Sequence, residues 1–207
     1  MVNVPKPTRV YCASIKNRTV IKNGDISHTT RAAEISAARN SKVREQKLFA
    51  WKLLEYAVKD FSEKPFDNEK IVKTPSGKWV FSDNSLHFSI SHTDGMCAVA
   101  VGNETCGVDI EKYSDDRFSE ALAKKILNQK ELLMCERLSG IERQEFLFEA
   151  WTKKESIFKM TAQTVFVAKN IFCADHITTT QKITVGEETF FLSLCANDAE
   201  NADIVVL

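Results

Sequence analysis

The sequence predicts an α+β protein, and three observations support this class. Helical composition rich in Ala, Lys, Arg and Glu runs from about residue 30 to 61. Residues 86–91 then alternate strictly between apolar and polar, which is typical of a strand. Helical sequence returns from about residue 117, and a tail rich in Thr, Val, Ile and Phe follows from residue 165. Strands and helices that come in separate runs indicate α+β rather than a regular alternation of the two.

The N-terminal half predicts one strand and one long helical region. The strand is expected at residues 9–15. The core face of the helical region is formed by apolar residues at helical spacing, which are Val43, Ala50, Leu54, Ala57 and Phe61. Pro65 breaks this region, and the Pro75-Ser76-Gly77 sequence predicts a turn before the next strands.

Three strands are predicted in the middle of the chain, at 86–91, 96–101 and 105–111. Gly102-Asn103 marks the turn between the second and the third. In the third strand, Cys106, Val108 and Ile110 face one way because side chains alternate along a strand. Gly107, Asp109 and Glu111 therefore face the other way.

The C-terminal part predicts two helices, at 117–138 and 141–160, split at Ser139-Gly140. Strands at 182–185, 189–195 and 204–207 follow and are expected to form hairpins. The same kind of unit thus occurs twice, with a seam near Gly102. We expect an N-terminal half at residues 1–102 and a C-terminal half at 103–207.

Composition excludes several classes of protein. Lys and Arg number 28 and Asp and Glu also 28, so the net charge gives no sign of nucleic-acid or membrane binding. No apolar run approaches the ~20 residues that span a bilayer, and MVNVPKPTRV lacks the apolar region of a secretory signal. The 6 cysteines form no CxxC pair, which favours buried thiols in a reducing cytosol.

Two acids on the third central strand form the first candidate site. Asp109 and Glu111 are two residues apart, so their carboxylates lie side by side on one face. Like charges this close repel unless a cation neutralises them or one carboxylate takes up a proton. Mg²⁺ prefers such hard oxygen ligands. The alternative is a strand end that runs into solvent, where acids are common.

A stripe on the last helix could complete this site. Trp151, Glu155 and Lys159 are spaced four residues apart and therefore share one helix face. If Glu155 meets Asp109 and Glu111, three carboxylates surround one magnesium ion with an ammonium beside it, which suits phosphoryl transfer. The alternative is an ordinary Glu–Lys pair on a solvated helix.

Phosphate-binding side chains are a third feature. Ser91 and His92 stand at the end of the alternating strand, where hydroxyl, imidazole and backbone N–H groups can hold a phosphate. A serine hydrolase is disfavoured because Ser91 lacks a Gly-x-Ser-x-Gly elbow. Arg44 and Lys47 share one side of the long helix, and Lys78 follows Gly77. These basic residues could bind a phosphate or could simply form a solvated face.

The three motifs together resemble the 4′-phosphopantetheinyl transferase superfamily. They are Ser-Ile-Ser-His-Thr at 89–93, Gly-Val-Asp-Ile-Glu at 107–111 and Trp-x-x-Lys-Glu-Ser-x-x-Lys at 151–159. A complete half-chain precedes Asp109, so the sequence looks like the surfactin-synthetase-activating type. The resemblance implies a monomer in which two similar α/β halves pack as an intramolecular pseudodimer, with the active site in the cleft between them.

The resemblance also implies a reaction. The 4′-phosphopantetheine arm of coenzyme A moves to a serine of an apo acyl or peptidyl carrier protein, and adenosine 3′,5′-bisphosphate is released. Asp109, Glu111 and Glu155 match the magnesium ligands of the family, and Lys159 matches the lysine at the pyrophosphate. Glu155, or a metal-bound water that it holds, is then the base. Coenzyme A contacts are expected from Lys47, Arg44, Lys78, Ser91, His92 and Lys159, while Glu131 is a weaker match to an acidic residue of some members.

The carrier protein is expected to present an acidic helix beside its serine and to dock at residues 118–138. Lys124, Lys125 and Lys130 would steer it, and Leu122, Ile126 and Leu127 would supply an apolar contact. Fatty-acid, polyketide and nonribosomal-peptide carriers all fit, and a cytoplasmic enzyme is expected. Two rival functions are a non-catalytic module that binds coenzyme A or a nucleotide, and a generic magnesium-dependent phosphohydrolase.

Overall fold

The computed structural model describes residues 6–16 and 26–207. The prediction that MVNVPKPTRV lacks a secretory signal concerns residues 1–10, of which 1–5 lie outside the described residues. The strands and helices in chain order are β1 (Arg9–Ser14), α1 (Thr29–Ser36), α2 (Ser41–Ser62), β2 (Ile71–Lys73), β3 (Trp79–Phe81), β4 (His87–Thr93), β5 (Met96–Gly102), β6 (Cys106–Lys112), α3 (Glu120–Ile126), α4 (Gln129–Cys135), α5 (Gly140–Thr161), β7 (Thr178–Val185), β8 (Glu188–Ala196) and β9 (Asp203–Val206). The mixture confirms the α+β class.

Two main sheets share one topology. The N-terminal sheet has the order β4-β5-β1-β9 and the C-terminal sheet the order β6-β8-β7, while β2 and β3 form a separate ribbon. In each half, the first strand pairs antiparallel with the last strand of a hairpin, as β1 does with β5 and β6 with β8. The long helix, α2 or α5, comes before that hairpin in the chain. This correspondence supports the pseudodimer that the resemblance implies.

The C-terminal tail joins the two halves. After β8 the chain crosses over, and β9 pairs parallel with β1, with Arg9 opposite Asp203 and Cys12 opposite Val206. The N-terminal sheet therefore includes a strand from the end of the chain. The division after residue 102 remains a prediction.

The elements stack in four layers. α2 covers the outer face of the N-terminal sheet, where Leu54 and Ala57 pack on Tyr11 and Val99. The inner faces of the two sheets pack on each other through a second apolar cluster that includes Val10, Cys12, Ala98, Val108, Ile110, Leu192 and Leu194. α5 lies on the outer face of the C-terminal sheet, with Phe148 against Phe191 and Ile157 against Cys195. The face of β6 that carries Gly107, Asp109 and Glu111 is thus turned towards α5.

Two predicted helical regions are interrupted, and the sequence analysis was wrong to treat each as one helix. The region 30–61 breaks at Asn40, whose side-chain oxygen accepts hydrogen bonds from the Lys42 and Val43 N–H groups and starts α2. The region 117–138 breaks at Leu127, which is extended. Asn128 then caps α4 in a reciprocal pair with Glu131.

The surface of α3 and α4 also corrects the predicted docking contact. Ile126 and Leu127 are only 1% exposed and belong to the core beside α5. The apolar side chains that this region exposes are Leu133 and Met134 on α4. The reason is that Ile126 and Leu127 pack into the apolar cluster that includes Leu147 and Phe148 of α5.

All 6 cysteines are free thiols, and 5 of them are buried. Burial raises the pKa of the Cys12 and Cys106 thiols to about 12, so both stay protonated at neutral pH. Within residues 6–16 and 26–207, no helix is both long enough and apolar enough to cross a membrane.

Candidate active site

The candidate site is built where α5 crosses β6, and Gly107 is the residue that allows this crossing. A Cβ atom at Gly107 would lie 2.0 Å from the Ser156 carbonyl oxygen and 2.5 Å from the Met160 nitrogen. Both atoms belong to the α5 backbone, so the overlap could not be relieved by the movement of a flexible side chain. Because Gly107 has no side chain, the backbone of α5 can approach β6 closely. Glu155 and Lys159 arrive next to the strand acids as a consequence.

Asp109 lies at the centre of the site and is 5% exposed. Its Oδ1 atom accepts hydrogen bonds from Lys159 Nζ at 2.7 Å and from the Ser91 hydroxyl at 2.8 Å. Lys159 Nζ also donates to Ser91 Oγ and to the Val108 carbonyl. The other carboxylate oxygen, Oδ2, is buried and has no hydrogen-bond partner within the structure. A buried carboxylate oxygen without a donor is a natural ligand for a cation.

Glu111 is oriented by three donors from different elements. Its Oε1 atom accepts from Arg117 at 2.7 Å and from the Trp151 indole N–H at 3.3 Å. Its Oε2 atom accepts from the Thr93 hydroxyl at 3.1 Å. Burial, and next the charge of Asp109, raise the pKa of the Glu111 carboxyl. Trp151, the apolar member of the predicted stripe on α5, thus also holds Glu111 through its indole N–H group.

Glu155 shares the electrostatic environment of the two strand acids. Burial, and next the charge of Asp109 with that of Glu111, raise the pKa of its carboxyl to about 7, against the opposing charge of Lys159. Burial is the larger cause of the raised pKa values of Glu111 and Glu155, and the charge of the neighbouring carboxylates is the smaller one. Lys159 pairs directly with Asp109, and Glu155 lies close enough to Asp109, Glu111 and Lys159 to feel their charges. The catalytic and metal-binding roles of these residues remain predictions.

The donor set fits a divalent cation, although the side chains are not arranged around one. Within the described part of the chain, no three His, Cys, Asp or Glu side chains form a ready ligand set for a metal ion. Two ion pairs instead neutralise the strand acids. Lys159 pairs with Asp109, and Arg117 pairs with Glu111. The buried Oδ2 of Asp109, which has no partner among the described residues, and the all-oxygen donor set are the observations that favour Mg²⁺ here.

His92 lies beside this cluster in a field of positive charge. Burial, and next the charges of Lys159, Arg31 and Lys47, lower the pKa of its imidazole to about 4. His92 is therefore neutral at pH 7 and can donate an N–H bond to an anion. Arg44 differs from Lys47, because its guanidinium is exposed and donates to the Ala38 carbonyl at 2.9 Å.

Lys78 reaches the site from the N-terminal half. Its Nζ atom donates to the Lys159 carbonyl at 2.7 Å and to the Cys106 carbonyl at 3.4 Å. Burial lowers the pKa of this ammonium. A cavity of about 250 Å³ lies next to it, lined among others by Gly77, Trp79, Phe158 and Gln163. Lys78 and Lys159 both border this cavity, so it joins the two halves.

Glu131 is placed differently from the other candidates. Besides capping α4, its carboxylate forms a 2.9 Å ion pair with Lys154, which is fully buried. The Lys154 ammonium also donates to the Ala168 and Ile171 carbonyls. Glu131 therefore anchors α4 to α5, and its contacts are structural.

Sequence reasoning missed three features of this site. Arg31 is 7% exposed, and its guanidinium lies over the Trp51 ring at 5.2 Å, so no pattern of exposed basic residues could reveal it. The steric need for Gly107 becomes visible only when α5 is in place. Thr93 could have been found, since the two-residue period that places Ser89 and Ser91 on one face also includes Thr93.

Comparisons with known proteins agree with the site. Residues 105–205 match the family model of the 4′-phosphopantetheinyl transferase superfamily. A stretch of 111 residues is 30% identical to the 4′-phosphopantetheinyl transferase gsp of Aneurinibacillus migulanus. This stretch covers 54% of the chain and 46% of that protein, so the chain spans about half the length of the curated relative that it matches. β6 and α5, with all three acids and Lys159, lie inside residues 105–205.

Proposed function

We propose that this chain, whose residues 105–205 match the model of the 4′-phosphopantetheinyl transferase superfamily, transfers the 4′-phosphopantetheine arm of coenzyme A to a serine of an apo carrier protein. The observation that carries the proposal is the convergence of Asp109, Glu111, Glu155 and Lys159 at the crossing of β6 and α5. This crossing lies within the residues that match the family. A domain that only binds a nucleotide has no need for three carboxylates with one unpartnered oxygen.

The binding of coenzyme A is assigned to side chains from both halves. His92 and Lys159 border the acids and supply N–H donors for the pyrophosphate, while Ser91, whose O–H group donates to Asp109, completes this side of the coenzyme A site. Lys47 and Arg31 each place positive charge near His92, which suits the 3′-phosphate. Lys78 and the neighbouring cavity suit the adenosine end. Arg44 remains a further candidate for the 3′-phosphate.

The proposed reaction is a single displacement at phosphorus. The carrier serine oxygen attacks the β-phosphorus, and the bond from this phosphorus to the bridging oxygen breaks. Adenosine 3′,5′-bisphosphate leaves with the electron pair. Glu155, directly or through a water molecule that it holds, accepts the serine proton. Lys159 donates to Asp109 and therefore lies beside the proposed pyrophosphate position. Its positive charge stabilises the negative charge that develops on the leaving oxygen.

Asp109, Glu111 and Glu155 are proposed to hold Mg²⁺. When bound, this ion supplies positive charge to the pyrophosphate oxygens, which lowers the barrier to displacement. Arg117 and Trp151 both donate to Glu111 Oε1, and Ser91 donates to Asp109 Oδ1. These donors fix the orientation of the two strand carboxylates. The protein therefore prepares the oxygen ligands before the cation and substrate arrive.

The carrier protein is proposed to dock beside α3. A cavity of about 410 Å³ lies there, and Trp151, whose indole N–H reaches Glu111, forms part of its wall. Lys124, Lys125 and Lys169 are exposed at its rim. These lysines suit an acidic helix. Leu133 and Met134, which are exposed on α4, are the apolar side chains of this region that a partner can contact in place of Ile126 and Leu127.

The proposal extends to the setting of the enzyme. A monomer is proposed because both halves of the site come from one chain. A cytoplasmic location is proposed because the 6 thiols are unpaired. Fatty-acid, polyketide and nonribosomal-peptide synthesis all use carriers of the required kind.

Intact-mass spectrometry of a carrier protein tests the proposed function. The apo carrier is incubated with coenzyme A, Mg²⁺ and the enzyme, and a carrier with its serine replaced by alanine serves as the control. We expect a mass gain of one phosphopantetheine group on the first carrier alone. A binding module would leave the carrier and coenzyme A unchanged. A phosphohydrolase would degrade coenzyme A without modifying the carrier.

A further inference from the structure

The two sheets meet along a line of hydroxyl groups. β4 and β6 are edge strands of different sheets. Instead of pairing through their backbones, they are joined by three β4 side chains that accept hydrogen bonds from β6 N–H groups. The pairs are Ser89 Oγ with Val108 N at 3.0 Å, Ser91 Oγ with Ile110 N at 3.3 Å, and Thr93 Oγ1 with Lys112 N at 3.2 Å. These contacts satisfy the outward N–H groups of a buried strand edge.

Two of the three hydroxyls also hold an acid of the candidate site. Ser91 donates to Asp109 Oδ1 at 2.8 Å, and Thr93 donates to Glu111 Oε2 at 3.1 Å. In both cases the hydroxyl accepts from one β6 residue and donates to the residue before it. Ser89 lies opposite Gly107, which has no carboxylate, so this hydroxyl makes only the backbone contact. The hydrogen bond from a β6 N–H group to a β4 hydroxyl thus occurs both where an acid is held and where none is present.

The backbone contact gives each hydroxyl a defined direction. An oxygen that accepts an N–H bond on one side directs its own hydrogen elsewhere, and here the nearest acceptor is the carboxylate. Thr93 is itself firmly held, because it is 9% exposed and its carbonyl oxygen accepts from Gln46 Nε2 at 3.0 Å. Gln46 belongs to α2, so the position of Thr93 is determined by the N-terminal half.

We propose that Thr93 is a positioning residue, which orients Glu111 from the opposite half of the protein so that its carboxylate is ready to bind a divalent cation. The inference rests on the proposed function, since it takes Glu111 as a ligand. Trp151 and Arg117 hold the Oε1 atom from the C-terminal half, and Thr93 holds Oε2 from the N-terminal half. The orientation of the Glu111 carboxylate therefore depends on the correct packing of the two halves against each other.

The chain offers a matched set of variants for a test. Thr93→Val keeps the shape of the side chain and removes the hydroxyl, whereas Thr93→Ser keeps the hydroxyl and removes a methyl group. Ser89→Ala is the control, because it removes an equivalent contact between the sheets where no acid is held. Thermal unfolding of each variant shows how much of any effect comes from the loss of the contact between sheets.

Binding of Mn²⁺ in the presence of coenzyme A provides the readout. Free Mn²⁺ is measured by electron paramagnetic resonance without carrier protein, so no turnover takes place. We expect Thr93→Val to raise the Mn²⁺ dissociation constant about tenfold, as loss of a group that orients a ligand does. Thr93→Ser and Ser89→Ala should bind Mn²⁺ as the wild type does.

Three results would overturn the inference. Thr93→Val could bind Mn²⁺ as tightly as the wild type, or Thr93→Val and Ser89→Ala could lose affinity equally, which would show a purely structural role. The wild type could also bind no Mn²⁺. The carrier mass assay distinguishes these results from failure of the proposed function, because a wild-type enzyme that modifies the carrier retains its function whatever Thr93 does.

Discussion

The two halves of the molecule use the same layered frame for different purposes. In each half a helix of 22 residues lies on a sheet of the same topology. In the N-terminal half, β1 presents Tyr11 and Ala13 to α2, and the contact is an apolar core. In the C-terminal half, β6 presents Asp109 and Glu111 to α5. The comparison teaches that one packing arrangement can either stabilise a fold or assemble a chemical site, depending on a few side chains.

The difference has a physical cost that the C-terminal half offsets locally. Buried carboxylates lose hydration, which is unfavourable unless donors replace the water. Ser91 and Lys159 do this for Asp109, and Thr93, Trp151 and Arg117 do it for Glu111. In the N-terminal half, the charged contact at the crossing is that of Asp60 with Arg9 and the Tyr11 hydroxyl, and both charged side chains are partly exposed to solvent.

The largest expected effect comes from giving β6 a side chain at the crossing. Gly107→Ala places a methyl group against the α5 backbone at 2.0 Å, so helix and strand must separate. We expect a loss of about 3 kcal/mol or more in the free energy of unfolding, together with loss of transfer. Urea unfolding measures the first effect and the carrier mass assay the second.

Gly102→Ala is the matched control in the N-terminal half. Its Cβ atom would meet the Thr8 side-chain oxygen at 2.7 Å, which strains the bond from this hydroxyl to Asp198 but displaces no helix backbone. We expect a loss of about 1 kcal/mol and nearly normal transfer. If Gly107→Ala were no worse than Gly102→Ala, close contact between β6 and α5 would not be what builds the site.

The next effect concerns the ammonium group in the C-terminal crossing. Lys159→Ala removes the charge beside Asp109, and we expect kcat to fall about 100-fold with a smaller change in the KM for coenzyme A. Lys153→Ala is the control, since Lys153 is on the same helix but pairs with Glu149 at 2.6 Å. Steady-state kinetics that show an unchanged kcat for Lys159→Ala would rule out the proposed role.

Charge reversal on α3 tests whether the C-terminal half also receives the carrier. We expect Lys124→Glu with Lys125→Glu to lower kcat/KM for the carrier about tenfold at low salt, and less as ionic strength rises. The exposed pair Lys59 and Lys64 in the N-terminal half, changed in the same way, is the control. Equal behaviour of both double variants would move the docking surface away from α3.

The smallest effect tests what the N-terminal half contributes. Lys47→Ala should raise the KM for coenzyme A about tenfold, which is the usual effect of losing one charged hydrogen bond, and should change little with 3′-dephospho-coenzyme A. Arg44→Ala should have less effect, because Arg44 is bonded to the Ala38 carbonyl. Equal losses with both substrates would remove Lys47 from the 3′-phosphate site.

How much the sequence could predict also differs between the halves. The acids, Glu155 and Lys159 were predictable because strand and helix periods place them on known faces, and because they form compact motifs. Arg31 and Lys47 reach His92 only through the tertiary packing of α1 and α2, which no local period describes. The break at Leu127 was missed since Asn128 and Glu131 act as a cap only when the preceding turn is extended.

A crystal of the protein with coenzyme A and Mn²⁺ tests the central claim most directly. The claim is that the crossing of β6 and α5 gathers Asp109, Glu111 and Glu155 into one cation site. Anomalous scattering locates Mn²⁺ independently of any assumption about its ligands. We expect one strong peak whose nearest carboxylates are these three, next to the pyrophosphate. A peak elsewhere, or bound coenzyme A with no peak among the three acids, would contradict the claim.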